Sequence, residues 1–315
     1  MRRSSRLKTQ PTARSVSELR SLVTEGSNRA SNDLDRMSSL EIARTINAQD
    51  AKVAAAVRRA LPQIAQAIDW IVASLKVDGR LIYVGAGTSG RIAAQDAVEC
   101  PPTFNVDPAK VQYLMAGGPK ALAAAAEASE DSMELGKREI AARKPGAKDV
   151  IVGIAASGRT PYVIAALRYA RQQGAKTIAV TCNLNSQLEK VADLAIVTEV
   201  GPEVLSGSTR MKAGTAQKMV LNMLSTGAMT RLGYVYGNLM VNLHLKNEKL
   251  LERAVGILQQ AAGVPRTSAR KALQAANNSL PAALVMLRAK VTRPQAEAAL
   301  RSSQGNVRQA IARAR

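Results

Sequence analysis

The sequence predicts an α/β protein: a doubly wound parallel sheet with an N-terminal helical arm and a small C-terminal helical bundle. Three observations predict this class. Five short apolar runs alternate with longer helical segments between residues 81 and 232. Helical periodicity without strands fills residues 31–75, and the strand signal disappears from residue 250 onward. Apolar strands that alternate with helices are typical of a parallel sheet covered on both faces.

The residue pattern justifies each element in turn. In the arm, apolar residues such as Leu40, Val53 and Ile64 recur at spacings that bury helix faces. The predicted strands are residues 81–84, 111–115, 149–156, 176–182 and 194–198. Four helices are expected in this domain. The first begins after residue 85 and ends before Pro101. The second begins near Lys120, and the other two cover residues 161–174 and 212–232. The last of these is apolar on more than one face, which predicts burial in the core or against a partner.

Turn residues divide the C-terminal part into short helices. They lie at residues 263–265, 277–278, 292–294 and 304–305. We therefore expect three parts in the chain: a basic flexible leader, the α/β domain with its arm, and the bundle. These parts cover residues 1–20, 21–250 and 251–315.

The composition excludes several classes of protein. The chain has 315 residues, of which 46% are hydrophobic and 3% aromatic. No apolar stretch reaches the roughly 20 residues that span a membrane, and aromatic residues are too few to stack many bases of single-stranded nucleic acid. The single histidine, His244, excludes a multi-histidine metal site, and two cysteines exclude a disulfide framework. We expect no metal, no cofactor and a cytoplasmic location.

The positive charge is concentrated at the two ends of the chain. The formal net charge is +20, yet residues 1–20 and 251–315 carry most of the excess. Attraction to nucleic acid is one interpretation; a basic composition spread over solvated helix faces is the one we favour, and we expect no nucleic-acid partner. The leader is rich in arginine and serine like an organellar transit peptide, but we favour a disordered bacterial tail.

A glycine-rich turn follows the first predicted strand. Residues 85–90 read G-A-G-T-S-G, formally a dinucleotide fingerprint. That interpretation needs an acidic residue at the end of a second strand about 20 positions on, whereas Asp107 lies in a proline-rich segment. The hydroxyl groups of Thr88 and Ser89, next to free N–H groups at a helix start, favour phosphate instead.

A second turn repeats this chemistry after the third strand. Ser157, Gly158, Arg159 and Thr160 precede Pro161, which suits the first position of a helix. One such turn alone is typical of an ordinary helix cap. Two of them, each after a parallel strand, predict a site for a sugar phosphate, because ligands bind at the carboxyl ends of such strands.

Four segments carry a resemblance to a known family. Residues 24–50, 85–104, 152–171 and 201–229 closely resemble N-acetylmuramic acid 6-phosphate etherases, and the similarity extends over about residues 22–315. The resemblance implies a sugar isomerase α/β domain, a bundle similar to a ubiquitin-associated module, and a homodimer with shared active sites. The chain departs from the family pattern at four positions that flank the site: Ala93, Gln95, Val98 and Asn105.

The resemblance also implies a reaction and its catalytic residues. Enzymes of this family remove D-lactate from carbon 3 of the sugar in amino sugar catabolism and cell-wall recycling. Glu99, in the motif ECPPT, matches the proton-transferring glutamate, and Glu130, in EASED, matches the second essential one. Glu203 is a reserve candidate. The chemistry implies no cofactor.

Two other functions use the same binding turns. A phosphosugar aldose–ketose isomerase would move a proton from carbon 2 to carbon 1, and a non-catalytic sensor would only bind the sugar phosphate. One copy of each turn and the presence of both matched glutamates favour the etherase.

Overall fold

A computed structural model of the chain describes residues 23–124, 127–243, 245 and 247–315. The leader predicted over residues 1–20 and the histidine His244 lie outside the described residues. Within them, no helix is long and apolar enough to cross a membrane.

The arm reaches across to the far end of the sheet. Three 3-10 turns come first: Val23–Glu25, Arg29–Ser31 and Leu34–Arg36. The Asn183 side chain accepts a hydrogen bond from the N–H of Val23 at 2.9 Å, and Ser31 Oγ donates to the Val204 carbonyl at 2.7 Å. Three helices follow: α1 (Ser39–Asp50), α2 (Val53–Arg59) and α3 (Leu61–Lys76). The arm is thereby attached to the loops that follow the fourth and fifth strands.

All five predicted strands are present and parallel. They are β1 (Leu81–Gly85), β2 (Val111–Met115), β3 (Val150–Ile154), β4 (Lys176–Thr181) and β5 (Leu194–Val197). Their order in the sheet is β2-β1-β3-β4-β5, and every pairing is parallel. The fold class is therefore confirmed, with the chain reversing its direction of growth between β1 and β3.

Helices cover both faces of the sheet. They are α4 (Gly87–Phe104), α5 (Glu127–Glu130), α6 (Met133–Ala142), α7 (Pro161–Gln172), α8 (Gln187–Val191) and α9 (Lys212–Leu232). Tyr83 and Val152 point to the core that contains α2, α3, α4 and α9. Ile82 and Ile151 point to the opposite core, with α6, α7 and α8. This alternation follows from the two-residue period of a strand.

Two helix predictions were wrong. The helix expected from Lys120 is a 3-10 turn, Pro119–Leu122, and α6 begins separately where the Ser132 hydroxyl accepts from the N–H of Leu135 at 3.1 Å. The helix expected to end before Pro101 continues to Phe104. A proline near a helix end removes only a donor, and the last turn is closed by the Asn105 N–H bonded to the Pro101 carbonyl at 2.8 Å.

Five helices form the C-terminal bundle. They are α10 (Glu248–Ala262), α11 (Arg266–Ala275), α12 (Leu280–Ala289), α13 (Arg293–Ser302) and α14 (Val307–Ala314). The bundle has its own hydrophobic core, which also includes Val241 and Leu243, and the division at residue 250 stays a prediction. Asn306 lies against Gly233 at the end of α9. The bundle therefore meets the domain at the amino ends of the strands, where a small junction cavity also lies between Lys110 and Ser303.

Candidate active site

The fold brings the two predicted phosphate turns together. α4 begins two residues after β1, and α7 begins seven residues after β3. β1 and β3 are neighbours, with Gly85 opposite Ile154. Both helices therefore start at the carboxyl edge of the sheet, at the point where the strand order reverses. Two helix N-termini here favour an anionic ligand.

The first turn approaches Glu130. Gly87 has φ +53°, and a Cβ atom at this position would lie 2.8 Å from the Glu130 carboxylate. Any larger residue would strain the backbone and displace that carboxylate. Thr88, the next residue, is half-buried. The structure thus brings together Gly87 and Glu130, which lie 43 positions apart in the sequence.

The second turn keeps its hydroxyl groups available. Gly158 has φ +67°, and a side chain there would collide with Ser186. Ser157 Oγ accepts a hydrogen bond from the N–H of Arg159 at 3.2 Å, so its proton stays uncommitted. Thr160 precedes α7 but makes no side-chain capping bond. The half-buried residues Ser157, Arg159 and Thr160 therefore line one turn that can donate to a phosphate.

Ser89 has a partner that the sequence analysis missed. Ser89 is 8% exposed, and its hydroxyl donates to the side-chain oxygen of Gln217 at 2.9 Å. Gln217 lies near the start of α9, on the stripe that also buries Ala213, Val220 and Leu221. A polar amide in an apolar stripe was a detectable signal, because buried polar groups usually have a partner.

Glu99 lies apart from the turns within one chain. It occupies α4 ten residues after Ser89, which corresponds to about 15 Å along the helix axis. Its side chain is exposed, and so is that of its neighbour Val98, at 56%. One chain therefore assembles the two turns and Glu130 but not Glu99.

Curated relatives match this chain over most of its length. The chain is 56% identical over 275 residues to an N-acetylmuramic acid 6-phosphate etherase of Symbiobacterium thermophilum, covering 87% of this chain and 91% of that one. It is 47% identical over 295 residues to N-acetylmuramic acid 6-phosphate etherase 1 of Bacillus licheniformis, covering 94% and 97%. The chain belongs to the N-acetylmuramic acid 6-phosphate etherase family.

Broader comparisons agree with the etherase family. Residues 63–171 match the glucokinase regulatory protein N-terminal SIS domain, residues 145–227 the SIS domain, and residues 237–277 the C-terminal lid domain of glucokinase regulatory protein. A phosphoheptose isomerase of Francisella tularensis superposes with a TM-score of 0.50 at 18% identity, over 62% of this chain and 100% of that one. This last similarity shows the fold alone.

In this member of the etherase family, the reserve candidate Glu203 caps a helix. Its side chain is 1% exposed, and its two oxygens accept from the N–H groups of Lys212 and Ala213, both at 2.9 Å. A carboxylate at the start of α9 also complements the helix dipole. Both oxygens are engaged with the backbone, which leaves Glu203 poorly suited to move protons.

Asp96 is a buried carboxyl group that was not predicted from the sequence. It accepts hydrogen bonds from the Tyr83 hydroxyl at 2.8 Å and from Ser225 at 3.0 Å. Burial raises the pKa of Asp96 to about 6. The side chain joins α4 to β1 and α9, and it points inward while Glu99, three residues later, points outward. Asp96 therefore fixes the helix that carries Glu99.

The two cysteines are buried away from reactive partners. Burial raises the pKa of the Cys100 thiol to about 12, and the Cys182 thiol is raised to about 12 for the same reason. The Cys100 thiol donates to the Asp96 carbonyl at 3.3 Å. Neither thiol has the low pKa of a nucleophile. In the described part of the chain, no group of three His, Cys, Asp or Glu residues could hold a metal ion.

Proposed function

We propose that this chain is a lyase that cleaves the D-lactyl ether of N-acetylmuramic acid 6-phosphate. The products are N-acetylglucosamine 6-phosphate and D-lactate. One observation carries the proposal: two hydroxyl-bearing helix starts lie side by side next to Glu130, in a chain 56% identical to an etherase of that name.

The 6-phosphate binds at the paired turns. At pH 7 a phosphate monoester carries a charge of about −1.5 to −2. The hydroxyl groups of Ser89, Ser157 and Thr160 and the N-termini of α4 and α7 lie at the same edge of the sheet. The phosphate is remote from carbons 2 and 3, so its binding energy orients the sugar for chemistry elsewhere. Thr88, Gly158 and Arg159 complete this proposed pocket.

The reaction is an elimination followed by an addition. The sugar ring opens to the aldehyde, which acidifies the proton on carbon 2. A base removes that proton, the bond between carbon 3 and the lactate oxygen breaks, and an acid protonates the departing oxygen. Water then adds to the double bond and restores the hydrogen on carbon 2. Glu130, beside the first turn, acts on the carbon 2 proton or on ring opening, and Glu99 protonates lactate.

Glu99 serves the site of a second copy of the chain in a homodimer. Three features support this. Glu99 is exposed, it is about 15 Å along the helix from Ser89, and Val98 beside it is 56% exposed although apolar. An apolar groove of about 670 Å³ also lies open between α3 and α9, where a partner could pack. Its apolar lining consists of Leu61, Ile64, Ala65, Ile68, Met219 and Met223.

Both cysteines are unpaired, which suits the reducing cytoplasm where we propose that the enzyme works.

Release of lactate tests the function directly. The purified chain is incubated with N-acetylmuramic acid 6-phosphate in deuterated water, and lactate and product are quantified by NMR. We expect stoichiometric lactate and deuterium at carbon 2 of the product. A ketose without lactate would identify an isomerase, and binding without any product would identify a sensor; either result overturns the proposal.

Mixing two inactive variants tests the shared site. Glu99→Gln and Glu130→Gln are each expected to be inactive, yet each mixed dimer contains one site with both glutamates. Random exchange of subunits should restore about a quarter of the parental activity. If both glutamates of a site came from one chain, the mixture would stay inactive. The double variant, Glu99→Gln with Glu130→Gln, serves as control because it rescues neither single variant.

A further inference from the structure

The three hydroxyl groups assigned to the phosphate are not equivalent. Ser157 and Thr160 have their protons available, as described above. The Ser89 hydroxyl donates its hydrogen bond to Gln217 Oε1, and a serine hydroxyl carries only one proton. Ser89 therefore cannot donate to a phosphate while it keeps this bond.

The amide of Gln217 holds an unused donor. Gln217 is 1% exposed, and its Nε2 group has no hydrogen-bond partner among the described residues. Buried N–H groups without acceptors are uncommon, since they lose hydration without compensation. Nε2 is also shielded from solvent, so it can act on a ligand only through a group that bonds the same amide, and the Ser89 hydroxyl bonds the oxygen of this amide.

We propose that Gln217 is the positioning residue that switches Ser89 from its resting bond to the phosphate. On binding, the amide turns over about its last side-chain bond. Nε2 then donates to Ser89 Oγ, and the Ser89 proton points to the phosphate. The inference rests on the phosphate pocket of the proposed function and adds a role for a residue of α9.

Only an amide can act in both states. It offers an oxygen that accepts in the resting state and a nitrogen that donates in the bound state, whereas a carboxylate offers acceptors alone. In Gln217→Glu the carboxylate therefore always accepts the hydrogen bond of the Ser89 hydroxyl, and it adds a negative charge near the phosphate. Gln217→Met keeps a similar length without hydrogen bonds and leaves Ser89 unoriented.

Calorimetry with the reaction product tests the switch. Binding of N-acetylglucosamine 6-phosphate is compared with binding of unphosphorylated N-acetylglucosamine. We expect Gln217→Glu to weaken binding of the phosphorylated sugar by more than about tenfold, and Gln217→Met by less, as for loss of a hydrogen bond to a charged group. Binding of the unphosphorylated sugar should be the same in all variants. If Gln217→Glu bound N-acetylglucosamine 6-phosphate as tightly as the parent does, the proposal would be overturned.

A double-mutant cycle distinguishes positioning from general support of the fold. In a Ser89→Ala background, Gln217→Met should change the dissociation constant by less than about twofold, because the residue acts through Ser89. A loss as large as in the parent background would show that Gln217 does not act through Ser89. The cycle uses only the mild Met variant, so it decides the matter even if Gln217→Glu fails to fold.

The binding experiments on Gln217 and the lactate-release assay can fail independently. If the parent bound the product in this pattern but released no lactate from N-acetylmuramic acid 6-phosphate, the etherase proposal would fail and the switch would stand. If lactate were released and the effects of the two substitutions were additive, the etherase proposal would stand and the switch would fail.

Discussion

The two ends of the sheet use polar residues in opposite ways. At the amino end, the Arg80 guanidinium binds Asp149 at 2.7 Å and the carbonyl oxygens of Arg143 and Lys144. Asp149 also accepts from the N–H of Gly146 at 3.0 Å. At the carboxyl end, the hydroxyl groups of the second turn and the Gln217 amide hold donors that the described residues do not use.

The difference separates groups that hold the fold from groups that await a ligand. A polar group that is fully hydrogen-bonded inside the chain has nothing left to offer a substrate. Spare donors at a helix N-terminus are the signature of a binding site. Substitutions at Ser157 and Thr160 should therefore change activity and leave stability nearly intact, and substitution of Arg80 should do the reverse.

The largest expected effect is on the rate of lactate release. Glu99→Gln and Glu130→Gln should each lower kcat by about 10² to 10⁴, because each removes a positioned acid or base. Product binding and the unfolding midpoint should stay close to those of the parent. The exposed residue Glu134, on α6, provides the matched control, and Glu134→Gln should keep parental kcat. Parental activity in Glu99→Gln would refute its assignment.

The next effect is on stability at the amino end. Arg80→Met should lower the free energy of unfolding by about 3 kcal/mol, because it leaves the buried Asp149 carboxylate without its cation. The measurement is urea denaturation at pH 7. The folded variant should show parental KM and kcat. A large rise in KM with unchanged stability would abolish the contrast between the two ends.

Asp96, midway between the ends, should make stability depend on pH. Its pKa is raised from 3.8 to about 6 in the folded state, so folding favours the protonated carboxyl. The resulting stabilisation is complete below about pH 4 and is lost as the pH rises through about 6. Between pH 4 and 7 the parent should lose about 2 kcal/mol more than Asp96→Asn, measured by denaturation. Parallel curves for the two proteins would contradict the burial of this charge.

The smallest effect concerns the affinity of the second turn. Ser157→Ala should raise KM for the phosphorylated sugar about tenfold, with a smaller change in kcat, since one hydrogen bond to an anion is lost. Ser302→Ala, in the bundle, removes a hydroxyl far from the site and should leave KM unchanged. Substrate binding as tight as in the parent would remove Ser157 from the phosphate pocket.

Local pattern was sufficient to predict most of the fold. The strands could be predicted because each is a short apolar run, and the central ones are buried on both faces, as at Ile151 and Ile178. The turns of the bundle could be predicted from residues such as Gly263, Asn277 and Asn278, which have positive φ in the structure. Two helix boundaries could not be predicted. α4 continues past Pro101 because a proline in the last turn of a helix costs little stability. The helix expected from Lys120 begins later because the Ser132 cap starts it.

The site could be predicted only in part. The hydroxyl-bearing turns could be found because each follows a strand directly, and the matched glutamates came from the family resemblance. The bond between Ser89 and Gln217 spans 128 positions, and no local pattern encodes such a distant contact. The separation of Glu99 from the turns follows from the ten residues of helix between Ser89 and Glu99, so the sequence could have predicted it.

One departure from the family pattern has a simple account. Asn105, where the family pattern has glycine, ends α4 with φ +54°. Asparagine is the residue that most readily replaces glycine in this conformation. The structure does not explain the change at Ala93.

The contact between Gly233 and Asn306 bears on the order in which the chain folds during its synthesis on the ribosome. All five strands and α9 are complete by residue 232, before any helix of the bundle has been translated. Domains generally fold in the order in which they are made, so the sheet can close while the bundle is still being synthesised. The bundle then docks onto a finished surface at Gly233, whose φ of +89° and missing side chain leave room for Asn306.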